Sequence, residues 1–135
     1  MVKVIQMVGK RKRAIAQAVL RPGKGSIRVN NVPVERIEPM HAKWKIQEVL
    51  KLLEGEKELK EVDVNIDVTG GGVMGQFDAV RIALSKVLNA HMRKKRVTKR
   101  LKDYDKTLLS GDSRRTEPKK WGGHSARARV QKSYR

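Results

Sequence analysis

The sequence predicts a mixed α/β domain followed by a long, extended, basic tail. Three observations carry that prediction. Val62 to Val68 alternates apolar and polar residues over seven positions, the period of a strand with one buried and one wet face. Ile46, Val49, Leu50 and Leu53 recur at i, i+3, i+4 and i+7, the period of an amphipathic helix. Residues 91–135 show no comparable apolar period, and they hold 16 Lys/Arg against 4 Asp/Glu, a net of +12 out of +18. The expected organisation is a globular unit over 1–92 and a basic tail over 93–135.

The elements follow in order. Val2, Val4, Ile5 and Val8 predict a first short strand, and Gly9-Lys10-Arg11-Lys12-Arg13 a basic turn. Ala14 to Arg21 fits strand or helix by period alone. The Pro22-Gly23-Lys24-Gly25 turn and the alternation Ile27-Arg28-Val29 favour a strand meander. Asn30-Asn31 predicts a tight turn before Val32-Pro33-Val34, where Pro33 suits only an edge strand. From Met40 the period is helical, with Gly55 as a natural stop. After the alternating strand, Gly70-Gly71-Gly72 breaks the pattern. Phe77, Val80, Leu84, Val87 and Leu88 then form the stripe of a second helix. That helix runs into Arg93-Lys94-Lys95-Arg96, cations that suit the negative end of a helix. Farther on, Tyr104, Leu108 and Leu109 offer brief anchors and no further element is expected. Core is the expected role of Phe77 and Trp44. Trp121 and Tyr134 lie in the tail, placed either to stack on bases or sugars or, for Trp121, to pin the tail.

Composition narrows the function. The chain has 135 residues, room for one modest core. A charge of +18 exceeds what solubility needs and destabilises an isolated compact state by self-repulsion. Residues 1–28 carry eight cations and no acid, while 29–90 carry eight cations and ten acids. A core therefore belongs in the middle and a polyanion at the flanks. The final GGHSARARVQKSYR cannot bury enough apolar surface to fold alone. A nucleic acid is the common polymer that meets cations at this density. The chain has no cysteine, which excludes thiolate metal sites, thiol nucleophiles and disulfides. No apolar run approaches a membrane span, and the start has no signal-peptide core. A cytosolic nucleic-acid binder is expected, without membrane, cofactor or small-molecule substrate.

Chemical motifs are few. Gly70-Gly71-Gly72-Val73-Met74-Gly75 matches G-x-G-x-x-G between a strand and a helix. The acidic residue that a dinucleotide site needs some 20 positions later is missing, and Arg93 to Arg96 stand there instead. No P-loop sequence occurs. The better reading is a glycine turn whose bare N–H groups attract phosphate at a helix start. His41, His91 and His124 lack ligand spacing, so no metal is expected. No serine sits in a nucleophile elbow. Asp63 and Asp67 imitate a carboxylate pair, yet they fall on the wet face of one strand. The candidate RNA-binding residues are Lys10, Arg11, Lys12, Arg13, Arg93, Lys94, Lys95, Arg96, Arg114, Arg115, Lys119, Lys120, Arg127 and Arg129, with Gly70, Gly71, Gly72 and Gly75 as a phosphate-binding turn.

Three segments together carry a resemblance: GKRKRAIAQAVLRPGKGSIRVNNVPVE, VDVNIDVTGGGVMGQFDAVRIALSKVL and LLSGDSRRTEPKKWGGHSARARVQKSYR. Their ordered motifs, GGG-x-x-GQ, GD-x-RR-x-E-x-KK-x-G and ARxRxQxSxR, resemble the small-subunit ribosomal protein nine family over nearly the whole chain. The Tyr-Arg ending is similar to its archaeal and eukaryotic branch. His124-Ser125 departs from the proline-glycine expected after the glycine pair.

The resemblance implies a two-layer α/β fold: a four-stranded, mostly antiparallel sheet with two packing helices and a left-handed βαβ crossover, against the usual rule. It implies a place in the head of the small subunit, on the 3′ major domain of its ribosomal RNA and beside neighbouring head proteins. It also implies a tail ending at the peptidyl site, where Lys132 and Arg135, flanking Ser133 and Tyr134, match cations that meet the tRNA anticodon stem. Two rivals share the charge. A DNA-packaging protein would need a wedge-bearing arm, and an RNA-modifying enzyme would need a pocket for its cofactor.

Overall fold

The computed structural model describes residues 4–134, so Val2 and Lys3 of the expected first strand lie outside the described residues. The elements are β1 (Ile5–Arg11), β2 (Ala14–Pro22), β3 (Ile27–Val29), β4 (Val32–Pro33), α1 (Met40–Leu52), β5 (Val62–Thr69), α2 (Val73–Met92), α3 (Lys95–Tyr104) and α4 (Thr107–Ser110). The fold is mixed α/β, as expected. Its sheet has five strands, in the order β1-β2-β5-β3-β4. β3 and β5 are parallel and the other neighbours antiparallel. A parallel pair needs a crossover connection, and α1 lies in it.

The fifth strand, one more than the resemblance implies, is the two-residue β4, at the edge position that Val32-Pro33-Val34 predicts. Asn30 and Asn31 take φ of 47° and 66°, the left-handed pair that a tight hairpin turn demands. Val29 then faces Val32. Pro33 closes β4 at the sheet edge, where its missing N–H costs nothing. Asn30 also ties the hairpin to β5: its side chain accepts the Val68 N–H at 2.9 Å and donates to the Val68 carbonyl at 3.3 Å.

Alternation decides which face is buried. Ala14, Ala16, Ala18 and Leu20 of β2 and Val62, Val64, Ile66 and Val68 of β5 all point into the core. α2 covers them with Phe77, Val80, Leu84, Val87 and Leu88, and α1 adds Ala42, Ile46, Val49 and Leu53. The small side chains of β2 let α2 come close, and at β1 the approach reaches the backbone. A Cβ on Gly9 would lie 2.2 Å from the Ala79 carbonyl oxygen and 2.5 Å from the Ala83 nitrogen. Trp44 is not in the core. It is 53% exposed, packed edge-to-face on His41 with centroids 5.2 Å apart. It lies away from the stripe of Ile46, Val49 and Leu53 that faces the sheet.

The chain after Met92 also departs from expectation. Residues 95–104 form α3, and Val97, Leu101 and, in α4, Leu108 are fully buried. α4 packs on α2, and α3 on both. Each leucine buried this way contributes about 1.5–3 kcal/mol. The packed unit thus extends beyond residue 92, and the stretch without helix or strand begins at Gly111.

Two glycines make opposite predictions. Gly9→Ala forces α2 off the sheet and should destabilise by about 3 kcal/mol or more. Gly75 is helical, and a methyl group added there would meet nothing within 4 Å, so Gly75→Ala should stabilise by about 0.5–1 kcal/mol. Urea unfolding at high salt, with unchanged slope in both variants, is the measurement.

Candidate nucleic-acid interface

Three segments distant in sequence meet at one end of the sheet. The β1–β2 connection is the two-residue turn Lys12-Arg13, with Lys12 at φ 54°. Gly70 and Gly71 take φ of 77° and 68° beside it. A Cβ at Gly70 would lie 2.6 Å from the Arg13 carbonyl oxygen, so the glycine pair is required by both conformation and proximity. The tail passes the same place. Arg11, Lys12, Arg13, Gly71, Gly72 and Thr116 line a cleft of about 620 Å³, and Lys12, Arg13, Arg115 and Lys119 line a neighbouring one of about 480 Å³.

The start of α2 opens into the first cleft. Gly72 is the N-cap, no side chain caps it, and the first turn holds no acid. Nothing lies within 4 Å of the Cβ positions of Gly72 and Gly75. The unpaired N–H groups of that turn carry about half a positive charge between them. Asp78, one turn farther on, pairs with Lys45 and approaches Arg11 at 3.9 Å.

Asp112 holds the tail in place. Its side chain is almost fully buried between Arg11, 2.8 Å away, and Arg114, 2.7 Å away. The Arg114 N–H donates to it as well, at 2.9 Å. The Arg114 hydrogen bonds first, with the charges of Arg11 and Arg114, hold this carboxyl well below the usual carboxylate range, while burial works against them.

The remaining candidates divide by how their charge is met. Lys94 and Arg96 sit at the far end of α2 on the buried Glu56, at 2.9 and 2.7 Å, and Lys94 also reaches Glu58. Lys94 and then Arg96 lower the Glu56 carboxyl against its burial. Arg93, at φ 49°, donates from Nε to the Ala90 carbonyl at 3.3 Å, so it does cap the helix end. With Lys95, Lys99 and Lys102 it lines a groove of about 530 Å³. Lys10 lies on the open face of the sheet, opposite Ile15. Lys120 and Arg127 pair with Glu117. Arg129, Lys132, Ser133 and Tyr134 are exposed and in no regular element. Arg135 lies outside the described residues.

The model of the family described as ribosomal protein S9/S16 matches residues 9–135. The chain belongs to that family. Its relatives include proteins named small ribosomal subunit protein uS9. One from Desulfurococcus amylolyticus is 51% identical over 134 residues, covering 99% of this chain and 94% of the relative. One from Methanothrix thermoacetophila is 46% identical over 133 residues, covering 98% and 99%. One from Halobacterium salinarum is 44% identical over 127 residues, covering 94% and 96%. As a member of the S9 family the chain is a structural protein of the small ribosomal subunit, not an enzyme, and belongs to the cytoplasmic ribosome.

Of the two carboxylates that imitate a catalytic pair, Asp67 stays exposed on β5, and Asp63 has another use in this S9 fold. Asp63 accepts the N–H groups of Lys24 at 2.9 Å and Ser26 at 2.8 Å, which fixes the β2–β3 turn and lowers its carboxyl. Sequence reasoning missed Asp112 and Glu117, the acids that set which cations stay free. Their signal was an acid isolated within a run of arginine and lysine.

Removing the Asp112 charge should release the tail. Asp112→Asn is expected to raise amide exchange at Arg114, whose N–H donates to Asp112, while β5 stays protected. In the unaltered protein the carboxyl is depressed. Its contribution is whole above the unfolded value of about 3.9 and is lost only as pH falls through the lower folded one. Protection of the Arg114 amide, corrected for intrinsic rates, should be flat from pH 8 to 5 and fall only in stronger acid.

Proposed function

We propose that this ribosomal protein binds small-subunit rRNA through the end of the sheet where the β1–β2 turn, the glycine turn and the tail converge, and that its C-terminal residues contact peptidyl-site tRNA. The observation that carries the reading is the convergence. Lys12, Arg13, Arg115 and Lys119 line adjoining clefts beside the uncapped start of α2. Phosphate oxygens suit all of these groups: backbone N–H at the helix start and charged donors around it. Among the candidates in this region, Arg11 and Arg114 are held by Asp112 and serve to position the rest.

The tail extends the same logic. Arg129 and Lys132 stand among small and polar residues in a segment without regular structure. A chain this thin enters gaps between RNA helices that a folded domain cannot. Ordering it is costly, and counterion release offsets that cost. The proposed tRNA contacts are Lys132, Ser133, Tyr134 and Arg135. An Arg–phosphate hydrogen bond contributes about 1.5–3 kcal/mol when partly desolvated. The α-carboxylate beside Arg135 opposes it and favours the low end.

Phosphate contacts leave a salt signature. Arg115→Ala or Lys119→Ala should weaken RNA binding uniformly across sequences and lower the salt slope by about 0.7–0.9. Titrations at several salt concentrations measure this; a changed sequence preference at constant slope would mean base contacts instead.

Deletion of residues 132–135 should leave subunits assembled and weaken peptidyl-site tRNA affinity about tenfold, the equivalent of 1.4 kcal/mol. The measurement is tRNA binding to purified subunits carrying full-length or shortened protein, at several magnesium concentrations. Equal affinities would place the tail short of the tRNA, and failed incorporation would make its role assembly.

A further inference from the structure

Trp121 is the most exposed large apolar side chain described, with a relative exposure of 102%. Tryptophan has more apolar surface to bury than any other residue, and leaving it bare in water forgoes that gain. The loop that carries it is nevertheless held in shape. Glu117 binds Lys120 and Arg127, the latter at 2.9 Å. The Ala128 N–H donates to Ser125 Oγ at 3.1 Å, and the Val130 N–H to the Gly122 carbonyl at 3.4 Å. A Cβ at Gly123 would lie 2.1 Å from the Ala128 carbonyl oxygen. The indole takes part in none of these contacts. It forms one wall of a cleft of about 440 Å³ whose other walls include Lys120, Arg127 and Arg129.

A planar apolar wall beside cations fits a ligand with a flat face and a negative charge one linkage away. That is a nucleotide. The base must be unpaired, because a base within a duplex has both faces stacked. A protein partner fits less well: beyond Glu117 the sequence holds no acid and six cations. We propose that the 117–130 loop is a one-nucleotide site, in which Trp121 stacks on an unpaired RNA base while Arg129 meets a flanking phosphate. The proposal rests on the RNA-binding reading above and adds to it a specific contact to a base.

The test uses the full-length protein with Trp44→Phe, so that Trp121 is the sole tryptophan. The probes are a single-stranded RNA heptamer, a duplex of equal length, and inorganic polyphosphate. Single-stranded RNA should quench Trp121 emission, while polyphosphate binds without quenching. Trp121→Phe should keep affinity for the heptamer within a few-fold. Trp121→Leu should lose about tenfold with its salt slope unchanged. Equal quenching by polyphosphate, or equal affinity of the Leu variant, would overturn the stacking while leaving the RNA-binding reading intact. Failure of every RNA to bind would overturn both. Quenching that appears only when other small-subunit proteins are added would place the indole against protein and also overturn it.

Discussion

Fourteen acids must position thirty-two Lys and Arg side chains in this protein, and that imbalance governs the rest of the structure. Several carboxylates of the folded part bridge elements, while others such as Glu35, Glu54 and Asp67 stay exposed. Glu48 of α1 and Asp105 at the end of α3 hold Arg81 of α2 between them. Asp78 links α1 to α2 through Lys45. Glu56 gathers Lys94, Arg96 and Arg100 at the start of α3. Glu56 is buried, so removing its partners would leave an uncompensated charge, which costs far more than the pair contributes. The same acids therefore do two things. They keep a self-repelling chain compact, and they sort its cations into those that build the fold and those that stay without an acidic partner.

The sheet and α2 supply the rigid frame on which that sorting happens. Gly9 and the alanines of β2 bring the helix almost into backbone contact with β1 and β2, so its start cannot drift relative to the β1–β2 turn. The glycine pair at 70–71 then joins β5 to α2 hard against the same turn, where a Cβ at Gly70 would lie 2.6 Å from the Arg13 carbonyl oxygen, and Gln76 of α2 donates to the Gly70 carbonyl at 3.2 Å. Close packing transmits position with little slack. Lys12 and Arg13 are thus fixed by a hairpin and a helix together, although neither side chain is itself buried.

Much of this was readable from the sequence where a period was long and clean. β5 alternates without a fault, and the stripe of α2 runs over three turns. The Asn30-Asn31 turn was legible because few residues other than glycine and asparagine accept two consecutive left-handed conformations. α3 was not legible, for a specific reason. Its stripe is narrow, Val97, Leu101, Tyr104 and Leu108 at i, i+4, i+7 and i+11, and five Lys and Arg of the helix surround it. Trp44 was misassigned because an aromatic on an amphipathic helix defaults to core, while the stripe of Ile46, Val49 and Leu53 already filled the face toward the sheet. The candidate site was legible as a set of basic residues and not as a place. That Arg13 touches Gly70, and that Asp112 reaches Arg11 from the other end of the chain, are long-range facts no local pattern encodes.

α2 has a length with a consequence of its own. Twenty residues of helix separate the basic turn at one end from the groove of Arg93, Lys95, Lys99 and Lys102 at the other, a span of about 30 Å. The helix sets two basic patches a fixed distance apart. On the RNA-binding reading proposed above, an RNA fold that presents phosphates at that spacing would engage the second end intramolecularly, at high effective concentration, whereas an RNA with the wrong spacing would hold only one end. Selectivity among RNAs would then arise from distance alone, with no base being read.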